Sequence, residues 1–191
     1  MHAHSGKSSF LLSLVRLLEY SGSISIDGVE ISDVPRQQLR TSIATISQDS
    51  LDLPGSVRDN LLPNTKDFSA IETTDNYLKE TLEKVELWDH IIAKGGLDKP
   101  LVDMSFSQGQ KQLFAIARSI VYQSVTGSKI VMVDEATSNI DRATDVRVQK
   151  VMKEAFQHCT VLTIAHRVQT IKDVDEMLEF SGGKLVHNQE N

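Results

Sequence analysis

The sequence predicts an α/β fold, a mostly parallel sheet flanked by helices, and three stretches carry that expectation. The run Ile130-Val131-Met132-Val133 follows Gly127-Ser128 and leads straight into Asp134 and Glu135, as a short strand buried on both faces does. A second short apolar run, Thr160 to Ile164, ends at Ala165-His166-Arg167, and residues 142–157 between the two have helical periodicity. Near the start, Gly6-Lys7-Ser8 leads into Leu11, Leu14, Val15 and Leu18 at helical spacing, so a buried helix begins where an anion could sit. The 130–135 stretch is expected to be a central strand, and open α/β sheets hold ligands at the carboxyl ends of their strands. Adjacent residues of an extended chain point to different sides, so Asp134 could face a metal and Glu135 a water. The plainer reading, two acids hydrating the strand's exit into solvent, stands beside it.

At 191 residues, 40% hydrophobic and 24% charged, the chain has ordinary globular composition and is long enough for one domain around one core. A formal net charge of −6 argues against a dominant attraction to nucleic acid or anionic membrane surface, and no nucleic-acid partner is expected. No stretch reaches the roughly 18 to 20 apolar residues of a membrane span. Phe10 to Leu18 is too short and is broken by Ser13 and Arg16, and no signal peptide is read at Met1. The single Cys159 cannot form an internal disulfide, and its apolar neighbours suit a core thiol in a reducing compartment.

Along the chain, Gly6-Lys7-Ser8 is the back half of a phosphate-binding loop, G-x-x-x-x-G-K-[ST]. Backbone N–H groups at a helix start cradle phosphate oxygens, Lys7 neutralises terminal phosphates, and the Ser8 hydroxyl joins a Mg²⁺ shell. The first Gly of that pattern falls at Met1, and His4 stands where a Gly is common; a helix simply starting at Ser5 or Ser8 is the alternative. Ser21-Gly22-Ser23 is expected to end that helix. Ile24, Ile26, Val29 and Ile31 then alternate around Asp27-Gly28, a hairpin signal. After Pro35 comes a polar segment, Arg36 to Arg40. Ser42 to Ile46 then forms a second sheet strand that places Gln48 at a strand end, with an exposed loop residue as the alternative.

Pro54-Gly55 makes a turn, Ser56 caps the next turn through Leu61, and Pro63 closes it. Residues from Phe68 to His90 read as helical, with Tyr77, Leu78, Thr81, Leu82 and Val85 on one face, inside a helical subdomain spanning about 56–123. Gly95-Gly96 opens a loop reaching Met104. Ser107 and Gly109 at the next helix start make either a second anion-binding N-terminus or, with Gln110, a capping box that needs no ligand. The helix after residue 141 turns Val148, Val151, Met152, Ala155 and Phe156 inward, and Thr160 to Ile164 is read as another buried strand. His166 at its end is functional or merely a hydrogen-bonded loop residue. A short helix near Gln169 to Lys172 precedes a last strand pair, Met177–Phe180 and Lys184–Val186, around Gly182-Gly183.

Taken together these residues resemble the nucleotide-binding domain of ATP-binding cassette (ABC) transporters, a P-loop NTPase, over essentially the whole chain and in the right order. Ser5 to Ser9 resembles the end of Walker A, Gln48 the Q-loop, and Phe106 to Gln110 the LSGGQ-type signature, with Phe for Leu and Gln for the middle Gly. Ile130 to Glu135 resembles Walker B, Ser138-Asn139-Ile140-Asp141 the D-loop, and His166 the switch histidine. Ser23 to Gly28, Gln48-Asp49, Val57 to Leu61 and Thr160 to Arg167 are most similar to the second cassette of subfamily C, the multidrug-resistance-associated group. Glu135 agrees, since the first cassette of that group often lacks it.

The resemblance implies ATP and Mg²⁺ as ligands. Ser5, Gly6, Lys7, Ser8 and Ser9 would surround phosphates. Lys7 and His166 would stabilise charge on the γ-phosphate, Ser8, Gln48 and Asp134 would organise Mg²⁺, and Glu135 would polarise the attacking water. In this family ATP is sandwiched between Walker A of one cassette and the signature of another in a head-to-tail pair. Ser107, Gly109 and Gln110 would therefore serve a partner's nucleotide, and Asp141 would help link the two sites. The implied function is ATP hydrolysis coupled to solute export through the transmembrane domains of a parent transporter, at the cytoplasmic face of a membrane; expressed alone, the chain would be soluble in the cytoplasm. The strand before Walker A, the adenine-stacking aromatic and most of the antiparallel subdomain are expected to be missing ahead of residue 1. An isolated chain truncated within Walker A is then expected to bind ATP weakly or not at all. Two other functions compete: a catalytically silent remnant or regulatory partner, and, less favoured, a non-transport ABC ATPase of DNA repair or translation.

Overall fold

The computed structural model describes residues 6–47, 53–62, 75–134, 141–164 and 174–190. Helix α1 (Lys7–Leu14) comes first, followed by a two-strand ribbon, β1 (Ser25–Ile26) and β2 (Val29–Glu30). Asp27 and Gly28 both have positive φ, 51° and 79°, the backbone that a tight two-residue hairpin demands. Helix α2 (Arg36–Thr41) leads into strand β3 (Ile43–Ile46), and three helices follow: α3 (Val57–Leu61), α4 (Asp75–Lys84) and α5 (Trp88–Ala93). The long α6 (Gln108–Thr126), strand β4 (Ile130–Asp134), helix α7 (Arg142–Ala155) and strand β5 (Thr160–Ile164) come next. An antiparallel pair, β6 (Glu176–Ser181) and β7 (Lys184–Glu190), ends the chain.

Strands β3, β4 and β5 form one parallel sheet in that order, so the 130–134 stretch is central among the described strands, as its apolar run predicts. Period-2 alternation sends its side chains to two cores. Ala44, Ile46, Val131 and Val133 face α3 to α7, where Leu78, Leu82, Ile91, Phe114, Ile116 and Val148 are almost fully buried. Ile43, Met132 and Ile164 face the other side, against Leu11, Leu14 and Val15 of the N-terminal segment, Ile31 and Leu39. Each fully buried aliphatic or aromatic side chain contributes about 1.5–3 kcal/mol, so both faces of the sheet are held by apolar burial.

Five expectations need correction. The first helix ends at Leu14, not near Ser21: Arg16 turns left-handed at φ 52° and donates its guanidinium to the Ile31 and Val34 carbonyls, while the Leu17 N–H folds back to Leu12 O at 2.9 Å. Leu18, expected to continue the stripe of Leu11, Leu14 and Val15, is therefore exposed, as is Leu17. The helix expected to run through to His90 is two helices within its described part. Glu86 at φ 57° breaks it, and the Leu87 N–H closes α4 by donating to Leu82 O at 2.8 Å. Strand β5 is not buried on both faces; it pairs with β4 along one edge, and Val161 is 39% exposed. Cys159 is half-buried against the edge of the larger core, its Sγ 3.9 Å from Ser128 O. The loop after Gly95-Gly96 tightens into a 3₁₀ turn over Leu101–Met104. Residues 63–74 and the expected helix near 169–172 lie outside the described residues.

Candidate phosphate site and the start of α6

The three parallel strands end at one edge of the sheet, with Ile46 level with Val133 and Asp134 level with Ile164. Asp134 is half-buried at that edge. Gln48, Glu135 and His166 follow these strand ends within two positions in the sequence; with Ser5 they lie outside the described residues.

The start of α1 is open. Gly6 is its N-cap at φ 94°, ψ −4°; among the described residues no side chain caps the helix and no acid lies in its first turn. The first N–H groups of a helix have no partner within it, and the dipole there favours an anion. A Cβ on Gly6 would stand 3.0 Å from the Gly183 Cα, so both the left-handed backbone and the β6–β7 turn require glycine. The Phe10 and Phe180 rings lie 5.5 Å apart and bring the same two segments together. Lys7 is half-buried, while Ser8 and Ser9 are exposed. The Ser8 hydroxyl and the Asp134 carboxylate are hard oxygen donors of the kind Mg²⁺ takes, so the donor chemistry fits that ion. Among the described residues no group of three or more His, Cys, Asp or Glu side chains could hold a metal.

The start of α6 is closed upon itself. Gln110 N–H donates to Ser107 Oγ at 3.2 Å and Ser107 N–H donates to Gln110 Oε1 at 3.0 Å, the complete capping box. Of the two readings of this stretch, the internal cap is therefore present. Gly109 has a packing reason as well: a Cβ there would lie 2.5 Å from Thr144 Cγ2 at the start of α7. Thr144 in turn donates its hydroxyl to Asp141 Oδ2 at 2.6 Å, and Asp141 Oδ1 accepts from the Ala143 and Thr144 N–H groups. These hydrogen bonds, the Thr144 hydroxyl first, hold the Asp141 carboxyl below its ordinary range.

Ser107, Gly109, Gln110 and Asp141 are thus gathered at two adjoining helix starts through Thr144. Gly6 to Ser9 belong to a helix packed on the other face of the sheet. Sequence reasoning missed Thr144 and the buried Asn60, whose amide bonds Leu53 on both backbone groups and accepts from Arg118 at 2.9 Å. Arg118 also donates to Asn60 O at 2.7 Å, joining α3 to α6 across 58 positions, a distance no local pattern reports. For Thr144 the signal was available, since Asp141 three residues ahead of a Thr is a helix-start pairing.

The family model described as ABC transporter matches residues 3–138 of this chain. A protein of Aspergillus fumigatus, ABC multidrug transporter B, is 40% identical over 185 residues, covering 96% of this chain and 12% of its own length. An ABC-type transporter of Gibberella zeae is 43% identical over 183 residues, covering 95% of this chain and 12% of its own. ABC transporter C family member 5 of Dictyostelium discoideum is 37% identical over 187 residues, again 95% of this chain and 12% of its own. The chain therefore spans about an eighth of the length of these relatives.

Proposed function

Because this chain belongs to the ABC transporter family, we propose that it is the ATP-binding and ATP-hydrolysing cassette of a transporter that exports a solute, of the second-cassette, subfamily C type. The observation that carries this reading is the separation of the two helix starts. The uncapped start of α1 is suited to a phosphate, and the cluster of Ser107, Gly109, Gln110 and Asp141 stands on helices of the opposite face. One chain supplies two unlike halves, as a head-to-tail pair of cassettes requires.

In this reading Ser5, Gly6, Lys7, Ser8 and Ser9 enclose the phosphates. Lys7 and His166 stabilise charge on the γ-phosphate, and Glu135 polarises the attacking water. Ser8, Gln48 and Asp134 would hold Mg²⁺, which when bound neutralises phosphate charge. Ser107, Gly109 and Gln110 face the nucleotide of a second cassette, and Asp141 links the two sites. The segment from about 56 to 123 forms the helical subdomain. Transmembrane domains of the parent protein are the other partner, placing the cassette at the cytoplasmic face of the membrane; among the described residues no helix is long and apolar enough to cross it.

The test is Glu135→Gln in the transporter that carries this cassette. ATP turnover should be abolished with nucleotide binding largely kept, whereas unchanged turnover removes Glu135 from its role. A second reading, a catalytically silent or regulatory module, draws on His4 standing where a glycine is common in the loop. A micromolar dissociation constant for ATP, by calorimetry on the 191-residue chain, would rule it out. Strong stimulation by DNA or ribosomes would favour a non-transport ATPase instead.

A further inference from the structure

We infer that His90, a residue of α5, is a positioning residue for the start of α6: as a neutral imidazole carrying its proton on Nε2, it holds Gln110 in the capping box and so sets the surface offered to a partner's nucleotide. The inference rests on the proposed function for the identity of that ligand, and on the geometry alone for the hydrogen-bond chain.

His90 Nε2 lies 2.8 Å from the Met104 carbonyl oxygen. A carbonyl only accepts, so this nitrogen carries the hydrogen and donates. In a neutral ring Nδ1 then presents a lone pair, and Gln110 Nε2 lies 3.4 Å from it as donor. The orientation of the Gln110 amide is fixed independently, because its Oε1 accepts from the Ser107 N–H at 3.0 Å and its nitrogen must therefore be the atom turned to the ring. The chain Gln110 to His90 to Met104 thus admits one tautomer and one amide orientation.

Met104 and Gln110 bracket the corner that delivers the chain into α6, and Ser105 within it is left-handed at φ 49°. Phe106 inside that corner packs 5.4 Å from the His90 ring and 5.4 Å from Phe114. One imidazole therefore grips both ends of a left-handed corner whose middle is packed against it. With Gln110 released, its Oε1 leaves Ser107 N–H, and the positions of the Ser107 hydroxyl and the Gly109 backbone are no longer set.

The experiment separates the two nitrogens. In the transporter carrying this cassette, His90→Asn keeps an acceptor near the Nδ1 position, and His90→Gln keeps a donor near the Nε2 position. His90→Gln should raise KM for ATP about three- to tenfold, the worth of one hydrogen bond, with kcat within about twofold. His90→Asn, which loses the Met104 end and keeps an acceptor for Gln110, should raise KM less than His90→Gln does. Equal impairment of the two variants, or none in either, overturns the inference. Nitrogen NMR of the ring in the 191-residue chain is the second measurement: a neutral ring protonated at Nε2 is expected, and protonation at Nδ1 near neutral pH overturns the inference without any activity. A wild-type assembly that hydrolyses no ATP defeats the proposed function, and the ring spectrum then decides the role of His90 by itself.

Discussion

The starts of α1 and α6 are alike in position and opposite in finish. Both begin with a small residue ahead of an apolar helix, yet α1 opens at a left-handed glycine with no side chain among the described residues capping its N–H groups, whereas α6 is closed by Ser107 and Gln110 acting on each other. A helix end without a cap forgoes about 0.5–2 kcal/mol of stabilisation, which is tolerable where a ligand takes the place of the cap. A capped end is stable by itself and presents a finished surface. The difference teaches that a pattern of small polar residues at a helix start does not distinguish a phosphate cradle from a cap; the hydrogen bonds do.

The largest expected effect that sharpens this comparison comes from Gly6→Ala. The left-handed backbone and the Gly183 backbone at 3.0 Å together should cost on the order of 2 kcal/mol in urea unfolding, and nucleotide binding by the transporter should be lost. A neutral result would mean that the start of α1 relaxes freely. Next is Gly109→Ala, whose methyl meets Thr144 Cγ2 at 2.5 Å. Offset by better helix propensity, it should destabilise by about 1 kcal/mol. Thr144→Ser, which removes the methyl and keeps the hydroxyl, should restore the loss in the double variant. If it does not, Gly109 is small for a reason other than Thr144.

Ser107→Ala should lower stability by about 0.5 to 1 kcal/mol through the lost cap, and the same substitution at Ser8 or Ser9 should change it less, since neither caps α1. Equal losses would erase the contrast between the two helices. The smallest effect is one of pH. The Asp141 carboxyl is lowered from its usual 3.8 by Thr144, so its contribution is fully present above that value and is lost as pH falls through the lower folded value. Comparing unfolding midpoints of the wild type and Asp141→Asn at pH 7 and below pH 3, the gap between them should shrink in acid; a constant gap would mean the charge is not what caps α7.

Much of this architecture is legible locally. The apolar runs at 43–46, 130–134 and 160–164, the Asp27-Gly28 hairpin and the Ser56 and Ser107 caps each depend on residues within a few positions of one another. What the periodicity of Leu11 to Leu18 could not reveal is that Arg16 finds two carbonyl acceptors near residues 31 and 34, a tertiary gain that outweighs helix propensity. Similarly, Glu86 breaks a good helical stripe because the chain after it must turn to bury Leu87 and Ile91. At the site, the spacing singles out Ser107, Gly109 and Gln110, but His90 beside Gln110 and Thr144 beside Gly109 are 20 and 35 positions distant and reach them only through the fold.

The contact of Gly6 with Gly183 gives the molecule a clock. During synthesis the helix that follows Gly6 is complete early, while the turn that presses against it is 177 residues later in the chain. At ribosomal rates of about 5–20 residues per second, that wall arrives roughly ten to thirty seconds afterwards. Contacts of such long sequence separation form late in folding. The opening of α1 is therefore among the last features of this chain to take its final shape.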